Sequence, residues 1–533
     1  MTANFSTFRK SRSDTRNLIN AILYCSKEGI STLTFDRGVY VFDDDLAPEI
    51  PICVSNHGET GYRKTAFLLE SLSSFTVDGG GSTFIFKGTM NAFTVLSCKG
   101  VTLKNFTVEF PDYPYPNGFV TNIGENYFDL RFDSDSVEAV NGTLYVKSGG
   151  FSDRVHCEVR FDGETHEVVR DTGDNSLGVN INTLNCTKLD NGDFRFFDPP
   201  ALPAMTDVFG MLTGIRRASG ILLCSSSDTV IENVTIHSCI GIGIMAQLCH
   251  NVTVTGCSVT AAEGRYVSSA ADATHFVCCT GTVNVNNSLF EHMLDDALNV
   301  HGIYTSVKES DSDFTYVKFM NSAAIGIDMY RSGDRIAVLD PDSLMPIDTL
   351  TVKDAIMINR EYTRLSFVEE RAVPIGSILE NLSAYPELVF DGNTVRNNRA
   401  RGMLIATNRP AIVKNCTFHT SGSAIVLECD GKFWYESGAV SSLRIENNLF
   451  DGCRYANWDR GVISIPEGKK TVDGFYYHGS IEIVGNTFRD SCDVHVYADN
   501  VSQLTFMDNE GENHPILLCH VGKAELQENS ILK

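Results

Sequence analysis

A short sequence unit recurs along the chain, and this repeat constrains the fold more than any other feature. Each unit alternates apolar and polar residues, turns at an asparagine or a glycine, and resumes with an apolar or aromatic residue. Where no insertion intervenes, equivalent positions lie 23 residues apart, as Ile236 and Val259 do. Short strands repeating at this length predict an all-β fold, a right-handed parallel β-helix of stacked coils. The clearest units begin at Phe75, Val101, Val230, Val252, Val283, Ile412, Leu443 and Ile481.

Two long stretches interrupt the repeat with longer alternating segments, and we predict that they are inserted β-barrel-like subdomains. Residues 14–28 have the pattern of one amphipathic helix, which Asp14 can cap and Gly29 can end. Such a helix would cover the open end of the first coil. The predicted segments are an N-terminal cap with the first coils (1–111), an inserted subdomain (112–215), coils with the candidate catalytic residues (216–302), a second inserted subdomain (303–385) and C-terminal coils (386–533).

The composition narrows the classes of partner. A formal charge of −24 argues against nucleic acid, anionic membranes and polyanionic substrates, and it is compatible with a neutral ligand. No stretch approaches the roughly 20 apolar residues of a membrane span. The N-terminal residues as written lack the apolar core of a secretion signal, which predicts a cytoplasmic location, or a secreted or periplasmic one if the N-terminus is trimmed. The sequence leaves the oligomeric state open.

Three aspartates are the strongest candidates for chemistry. Asp295 and Asp296 are adjacent, and Asp272 lies 23 residues before Asp295, which is one repeat. Since stacked coils are about 4.8 Å apart, we expect Asp272 and Asp295 to be vertical neighbours, with Asp296 facing solvent beside them. Like charges this close raise at least one pKa, which an enzyme acid needs at neutral pH. The cluster therefore predicts acid–base hydrolysis, most simply of a glycosidic bond.

The same aspartates have other interpretations. A polar ladder at a turn, without any chemistry, is common in β-helices. A metal site formed by Asp272, His275, Asp295 and His301 is conceivable, but the spacing matches no defined ligand set, so we predict no metal and no cofactor. Asn299 also lies close enough in sequence to join the site.

A second candidate region comprises residues 398–402 and 428–438. Trp434 lies in a polar loop flanked by glycines, where the face of a sugar could stack on its ring. Arg401 could donate hydrogen bonds to sugar hydroxyls. Packing or a structural ion pair would explain each of these residues equally well.

Four motifs make the chain similar to a known family. The run Leu294-Asp-Asp-Ala-Leu-Asn-Val-His-Gly302 resembles glycoside hydrolase family 110, as do Gly264-Arg-Tyr-Val-Ser268, Asp272-Ala-Thr-His275 and Trp434-Tyr-Glu-Ser-Gly438. The resemblance covers most of the chain, and the aspartates are its most specific part. It implies a β-helix with two inserted barrels. It also implies an inverting exo-α-galactosidase that removes terminal α-1,3-linked galactose, as in blood group B and linear α-galactosyl glycans.

The resemblance also implies roles for individual residues. By position, Asp295 would protonate the leaving oxygen, whereas Asp272 and Asp296 would hold and deprotonate the attacking water; the sequence alone leaves open which aspartate takes which role. Inversion needs acid and base about 6.5–9.5 Å apart, which diagonal placement across two coils would supply. The residues expected to bind the sugar are His57, Gln247, Arg265, His275, Asn299, His301, Arg401, Trp434 and Glu436.

Two other functions are compatible with a β-helix. A polygalacturonase-like hydrolase also uses aspartates on such a scaffold, but it would need a basic cluster for the uronate, and no Arg/Lys motif follows His301. A glycan-binding β-helix of the adhesin or phage-spike kind would bind sugar without turnover. The sequence favours an α-1,3-galactosidase acting on galactose-terminated glycans.

Overall fold

The computed structural model confirms the all-β fold, a parallel β-helix with two inserted β-rich subdomains and an N-terminal helix. It describes residues 1–533 except 58–59, 113, 149–150, 215, 457–458, 467–468, 491–492, 512–513, 529–530 and 533. Within these described ranges, no helix is both long enough and apolar enough to cross a membrane. Single 3₁₀ turns occupy Phe5–Phe8, Asp44–Leu46, Ile181–Thr183 and Ser322–Ala324.

The N-terminal helix, Asp14–Glu28, packs its buried face against the first coils. The side chain of Ser13, and not Asp14 as predicted, caps the helix by accepting a hydrogen bond from the amide of Arg16. Ser13 takes this role because it is the last residue with an extended backbone before the first turn. Gly29 ends the helix in the left-handed conformation, as predicted, with φ of 64°.

Two parallel sheets form the β-helix, and most complete coils contribute to both. Sheet 1 contains Thr2–Asn4, Thr32–Thr34, Val39–Asp43, Thr76–Lys87, Thr102–Glu109, Ser227–Ile236, His250–Thr255, Ser258–Val259, Thr280–Asn286, Leu289–Glu291, Pro386–Asp391, Thr394–Arg396, Ala411–Lys414, Thr417–His419, Ser442–Glu446, Leu449–Asp451, His478–Val484, Thr487–Arg489, Val501–Met507, Glu510–Gly511 and Val521–Leu526. Sheet 2 contains Thr60–Glu70, Asn91–Leu96, Ile221–Cys224, Ile244–Gln247, Thr274–Val277, Leu298–Ser310, Met403–Ile405, Ile425–Val426, Ile463–Ile465, Val496–Ala498, Pro515–Leu518 and Ile531–Leu532. Two further strands, Glu49–Cys53 and Glu436–Ser437, add antiparallel pairs at its edge.

The register of these sheets confirms the 23-residue repeat. Ile236 pairs with Val259, as the spacing predicted, and Val395 pairs with Phe418, which is also 23 residues further along the chain. Inside the coils, one phenylalanine per turn stacks on the next, with ring centroids 5.0–6.3 Å apart. The stacked rings are Phe290, Phe390, Phe418, Phe450 and Phe488. These contacts bury a large apolar area along the axis, so they hold consecutive coils in register.

A ladder of buried amide side chains runs beside the aromatic stack. Asn448 and Asn486 follow residues in the left-handed conformation at equivalent turns. The amide of Asn448 donates to Asn486 Oδ1 over 2.9 Å, and the amide of Asn486 donates to Asn509 Oδ1 over 2.9 Å. Each side chain thus accepts a backbone hydrogen bond from the coil before it. Without this ladder, the turn amides inside the coil would be buried and unpaired.

The first insertion is an eight-stranded antiparallel sheet around its own apolar core. Its strands, in ladder order, are Val137–Val140, Thr143–Ser148, Phe151–Asp162, Asp207–Thr213, Asn117–Ile123, Tyr127–Phe132, Phe194–Phe197 and Cys186–Lys188. Its apolar core contains aromatic and aliphatic side chains from most of these strands. This core is distinct from that of the β-helix, and a further buried apolar cluster, which includes Phe161 of the insertion and Tyr266 and Leu294 of the coils, joins the two parts.

The second insertion is a closed antiparallel barrel. Its strands, in ladder order, are Leu298–Ser310, Thr315–Phe319, Tyr362–Phe367, Pro346–Met357, Arg335–Leu339 and Ile378–Asn381, and the last pairs with the first. The strand Leu298–Ser310 begins in sheet 2 and continues into the barrel without a break. The barrel is therefore anchored directly beside the candidate aspartates, which precede that strand.

We expect Asn486→Ala to lower the free energy of unfolding by about 3 kcal/mol. Asn486 is fully buried, and its loss leaves the amide of Asn448 without an acceptor; each such buried orphan costs about 1–3 kcal/mol. Urea denaturation followed by circular dichroism measures the change.

The matched control is Asn447→Gly at the exposed turn residue next to the ladder. Asn447 has φ of 54°, which glycine adopts without strain, so we expect a change below about 0.5 kcal/mol. Equal losses in both variants would mean that the buried ladder adds nothing beyond the turn itself.

Candidate active site

The three aspartates lie on the turns that lead from sheet 1 into sheet 2. Asp272 comes two residues before the strand Thr274–Val277, and Asp295 and Asp296 come just before Leu298–Ser310 on the next coil. One carboxylate oxygen from each aspartate lies within 4.8 Å of the others. The structure therefore brings together all three residues that the sequence predicted.

The ladder register corrects which aspartates are vertical neighbours. Ser269 bridges to Met293, an offset of 24 residues, because this coil is one residue longer than the regular repeat. Asp272 therefore lies opposite Asp296, and not opposite Asp295 as predicted. The amide of Asp296 donates to Asp272 Oδ1 over 3.1 Å, which fixes the two coils at this point.

The burial of the three carboxylates also differs from the prediction. Asp296 was expected to face solvent, but its side chain is only 1% exposed, and that of Asp272 is 5% exposed. Asp295 is the most accessible, at 18%. Asp296 points inward because it continues the turn into the buried start of the sheet 2 strand.

The aspartates line a cavity of about 610 Å³ at the side of the β-helix. The first insertion contributes one wall, including His156 and Asp174. The segment 428–436, which contains Trp434 and Glu436, contributes another wall. The turn at 399–401 closes the C-terminal side, so the inserted subdomain and the coils enclose the cavity together.

Guanidinium groups surround Asp295. Arg216 Nη2 donates to Asp295 Oδ2 over 3.0 Å, and Arg399 Nη1 lies 4.0 Å from Oδ1. Burial alone would raise the pKa of Asp295, but Arg216, Arg399 and Arg401 together hold this pKa below its usual value. Asp295 is therefore ionised in the unliganded site.

Asp272 and Asp296 titrate in the opposite direction. Burial, followed by the charge of Asp295, raises the pKa of Asp272 to about 8. Burial raises the pKa of Asp296 well above its usual value, although Arg401 Nε donates to its Oδ1 over 3.1 Å. Asp296 Oδ2 has no hydrogen-bond partner among the described residues, and Asp296 lines the cavity. The site thus combines an ionised carboxylate, Asp295, with two carboxyls whose pKa values are raised.

Two of the expected sugar-binding residues are buried behind the aspartates instead of lining the cavity. His275 Nδ1 lies 2.5 Å from Asp272 Oδ2, and His275 Nε2 lies 2.8 Å from His301 Nε2. His301 Nδ1 lies 2.6 Å from the carbonyl oxygen of Gly302. Burial lowers the pKa of both imidazoles, that of His275 to about 4. His275 contacts Asp272 directly and His301 contacts it only through His275, and neither imidazole lines the cavity.

Glu436 connects this histidine pair to the cavity. Its Oε1 lies 3.5 Å from His301 Nε2 and accepts a hydrogen bond from Asn56 Nδ2 over 3.2 Å. Its strand pairs with Gly302, so the backbone places it beside His301.

The remaining predicted binding residues divide into two groups. Asn299, Arg401 and Trp434 line the cavity together with Glu436, and Trp434 is 52% exposed at its rim. Three others do not line it: Gln247, His57 and Arg265. Gln247 holds the segment before the cavity by bonding the Ser55 amide and the Cys53 carbonyl.

His57 and Arg265 have structural partners. His57 Nε2 lies 2.8 Å from Ser219 Oγ, behind the cavity wall. Arg265 Nη1 lies 3.4 Å from Glu109 Oε1 and also reaches the carbonyl of Phe110, so the long turn before Asp272 carries it away from the site.

Sequence reasoning missed the residues that set the charge balance. Arg216 lies at the seam between the first insertion and the coils, where no spacing relates it to the aspartates. Arg399 pairs through two nitrogens with Asp174 of the first insertion. Arg401, two residues further along, was predicted as a binding residue from residues 398–402, so the same motif could also have indicated Arg399. No sequence motif or spacing indicated Asp174 or Arg216.

The aspartate trio could in geometric terms hold a metal ion. However, guanidinium groups already contact Asp295 and Asp296 and supply the positive charge that a cation would bring. Such neighbours repel a cation, so the donor set fits a proton-sharing cluster better than a metal centre.

Comparison with known proteins decides the family. The model of GLAA-B beta-barrel domain II matches residues 316–374, and that of the right handed beta helix region matches 376–531. The chain is 30% identical over 509 residues to alpha-1,3-galactosidase B of Bacteroides thetaiotaomicron, covering 92% of this chain and 82% of that protein. The chain belongs to the α-1,3-galactosidase family of glycoside hydrolases.

Other relatives agree with this membership of glycoside hydrolase family 110. Alpha-1,3-galactosidase A of Shewanella woodyi is 31% identical over 485 residues, covering 89% of this chain and 79% of that protein.

Among solved structures, the A-module of the Azotobacter vinelandii mannuronan C-5 epimerase AlgE4 is similar over 100% of this chain and 97% of that chain, at 9% identity and a TM-score of 0.43. The barrel matched by the model of GLAA-B beta-barrel domain II, at residues 316–374, is the one anchored beside the aspartates.

We expect Asp272→Asn to raise the melting temperature at about pH 9 and to change it little at about pH 5. An unfolded aspartate titrates near about 3.9, whereas the folded pKa of Asp272 is about 8. The stabilisation from its protonated form is therefore complete below about pH 4 and lost as the pH rises through about 8. Asparagine stays neutral throughout. Differential scanning calorimetry at both pH values measures this.

Asp295→Asn is the matched comparison, since it leaves the guanidinium of Arg216 without its carboxylate partner and is expected to lower the melting temperature at both pH values. If Asp272→Asn shifted the melting temperature equally at both pH values, Asp272 would be ionised in the folded protein.

Proposed function

We propose that this protein hydrolyses terminal α-1,3-linked galactose from oligosaccharides or glycoconjugates. The observation that carries the proposal is the cluster of Asp272, Asp295 and Asp296 in a cavity, within a chain whose relatives are named α-1,3-galactosidases. Two or more carboxyls in different protonation states are what glycoside hydrolysis requires.

The cavity supports exo-action at a chain end. Its volume of about 610 Å³ lies in the range of small-molecule sites. Walls from the first insertion and from residues 428–436 enclose it on different sides. A terminal sugar fits such a recess, whereas an internal unit of a polysaccharide needs an open groove.

The proposed reaction is a single displacement. Asp295 gives its proton to the glycosidic oxygen as the bond from that oxygen to the anomeric carbon breaks. A water held between Asp272 and Asp296 attacks that carbon, and Asp296 takes the proton that the water loses. The free Asp296 Oδ2, which is buried at the cavity and lacks a partner among the described residues, is a ready acceptor for this water.

Asp295 must gain a proton before it can act as the acid, because three guanidiniums keep it ionised in the unliganded site. Bound substrate changes the surroundings of Asp295 in two ways. It excludes water from the Asp295 carboxyl, which is 18% exposed, and its hydroxyls compete for the hydrogen bonds of Arg216. Both effects raise the pKa of Asp295. The proton comes from Asp296, whose carboxyl lies close by and whose own pKa is raised.

The stereochemical part of the proposal is inversion. The nearest carboxylate oxygens lie within 4.8 Å, shorter than the roughly 6.5–9.5 Å usual for inverting enzymes and close to the 5–5.5 Å of retaining ones. Support for inversion comes from the family resemblance and from the third carboxyl, which allows two groups to hold a water. The anomer released first is therefore the sharpest test.

The rim of the cavity fits the rest of the glycan. Trp434 and Phe433 meet edge to face, with ring centroids 4.9 Å apart, and both are exposed. Asp430 holds this turn by accepting hydrogen bonds from the amides of Lys432 and Phe433. A rigid exposed aromatic face at the mouth suits stacking of the sugar next to the terminal galactose.

We expect purified protein to release β-galactose first from galactosyl-α-1,3-galactose in a proton NMR time course, since attack by water from the opposite face inverts an α-linkage. The blood group B trisaccharide, run in parallel, reports whether a branching fucose is accepted.

Early α-galactose would overturn inversion and the assigned roles while leaving the hydrolase. No galactose from either substrate would overturn the proposed specificity, and release of galacturonate from polygalacturonate would replace it.

We expect Asp295→Asn to lower kcat by about 10³-fold with a small change in substrate affinity, because the variant lacks the proton donor but keeps the shape of the site. Isothermal titration calorimetry measures affinity, and the matched control is Asp190→Asn at an exposed aspartate of the first insertion. Wild-type turnover in Asp295→Asn would remove this residue from the mechanism.

A further inference from the structure

His275 and His301 form a buried chain that starts at the candidate catalytic cluster. The order of contacts is Asp272 Oδ2, His275 Nδ1, His275 Nε2, His301 Nε2, His301 Nδ1 and the carbonyl oxygen of Gly302. The two imidazoles and the carboxyl are 0–3% exposed, so solvent cannot supply missing donors or acceptors. Each contact must therefore contain one hydrogen, and these hydrogens can be counted.

The backbone end of the chain fixes the first hydrogen. The carbonyl of Gly302 only accepts, so His301 Nδ1 carries a hydrogen. His301 Nε2 and His275 Nε2 lie 2.8 Å apart, so one of these two nitrogens carries a hydrogen and the other offers its lone pair. If His301 Nε2 carries this hydrogen, both nitrogens of His301 are protonated and His301 is an imidazolium. If His275 Nε2 carries it, His301 is neutral, and the state of the chain depends on His275 Nδ1.

In the second case, the contact between His275 and Asp272 contains the extra proton. With Nε2 of His275 protonated, the 2.5 Å contact between Nδ1 and Asp272 Oδ2 contains either a second imidazole hydrogen or a carboxyl hydrogen. In every arrangement, the chain holds one proton more than a carboxylate with two neutral imidazoles. Its net charge is zero.

Burial selects where the extra proton resides. An imidazolium in this chain would be a buried cation beside a buried carboxylate, and the desolvation of such a pair is costly. The neutral form has a protonated Asp272 that donates to a neutral His275. Asp272 Oδ1 then remains an acceptor, consistent with its hydrogen bond from the Asp296 amide. The raised pKa of Asp272 and the lowered pKa of His275 point the same way.

We propose that His275 and His301 are positioning residues that keep Asp272 protonated, so that Asp296 alone is the base. This inference rests on the proposed hydrolytic function for its mechanistic meaning. Asp272 orients the attacking water as a hydrogen-bond acceptor, and the water proton goes to Asp296. The histidines thereby remove one negative charge from the cluster, which lets Asp296 ionise next to Asp295.

Four other titratable groups lie around the chain, namely Arg216, Glu436, Asp295 and His57. Arg216 and Glu436 face both Asp272 and His275, and Asp295 faces them from the cavity side. Glu436 Oε1 also lies 3.5 Å from His301 Nε2, where as a carboxylate it only accepts. His57 packs behind His275 and is neutral, since burial lowers its pKa to about 3. None of these groups offers a hydrogen at the contacts counted above.

Infrared spectroscopy tests the proton directly and needs no substrate. In the difference spectrum of wild type minus Asp272→Asn at neutral pH, we expect the carbonyl band of a protonated carboxylic acid. The control, Asp190→Asn, is expected to remove only carboxylate bands. A carboxylate band in the Asp272 difference spectrum would overturn the inference.

The pH dependence of kcat/KM tests the histidines. The amide of His275→Asn donates to Asp272 and leaves it ionised, and the added charge raises the pKa of Asp296. We expect the acid limb to move up by about one pH unit, with about tenfold lower activity on that limb and little change above it. In His301→Gln the amide oxygen still accepts from His275 Nε2, so the profile is expected to keep its wild-type shape.

A uniform loss at every pH in His275→Asn would make the histidines merely structural and overturn the proposal. Failure of the proposed function has a different signature: wild type would release no galactose, while the infrared result would still stand. A wild type that is active but lacks the acid band would contradict this inference alone.

Discussion

The parallel ladder between neighbouring coils is the constraint on which the site depends. It sets a coil spacing of about 4.8 Å, so side chains at equivalent turns approach one another whatever charge they carry. Aspartates on two successive turns therefore place three carboxyls within 4.8 Å. Because the ladder is held by the stacked core, the backbone cannot move apart to relieve their repulsion. Only protons or opposite charges can relieve it.

The site uses both kinds of relief, on different sides of the cluster. On the cavity side, Arg216 and Arg399 offset the charge of Asp295. On the buried side, the imidazoles of His275 and His301 accept and donate along a chain that favours a neutral Asp272. This asymmetry separates three chemically identical residues into groups with different proton affinities, which is the condition for acid and base to coexist.

The repeat and its stacking could be read from the sequence because the spacing of Ile236 and Val259 reports the ladder directly. The vertical pair at the aspartates was predicted wrongly, since one extra residue in a turn shifts the register by one. The burial of His275 and His301 could not be predicted from the sequence either, because these residues alternate with core residues on strands that are covered on both faces. Arg216 reaches the site through tertiary structure alone, and local spacing carries no trace of it.

The ion pair between Arg399 and Asp174 has a consequence for how such proteins can diversify. The insertion has an apolar core of its own, and a further buried cluster, which includes Phe161 of the insertion and Tyr266 of the coils, joins it to the scaffold. The charge pair adds a second link, since Arg399 belongs to the coils and Asp174 to the insertion. A transplanted insertion must bring an acidic partner to the same place, or the freed guanidinium will turn towards Asp295 and alter its acidity. Recombination between family members is thus restricted by this charge pair as well as by the packing between the two parts.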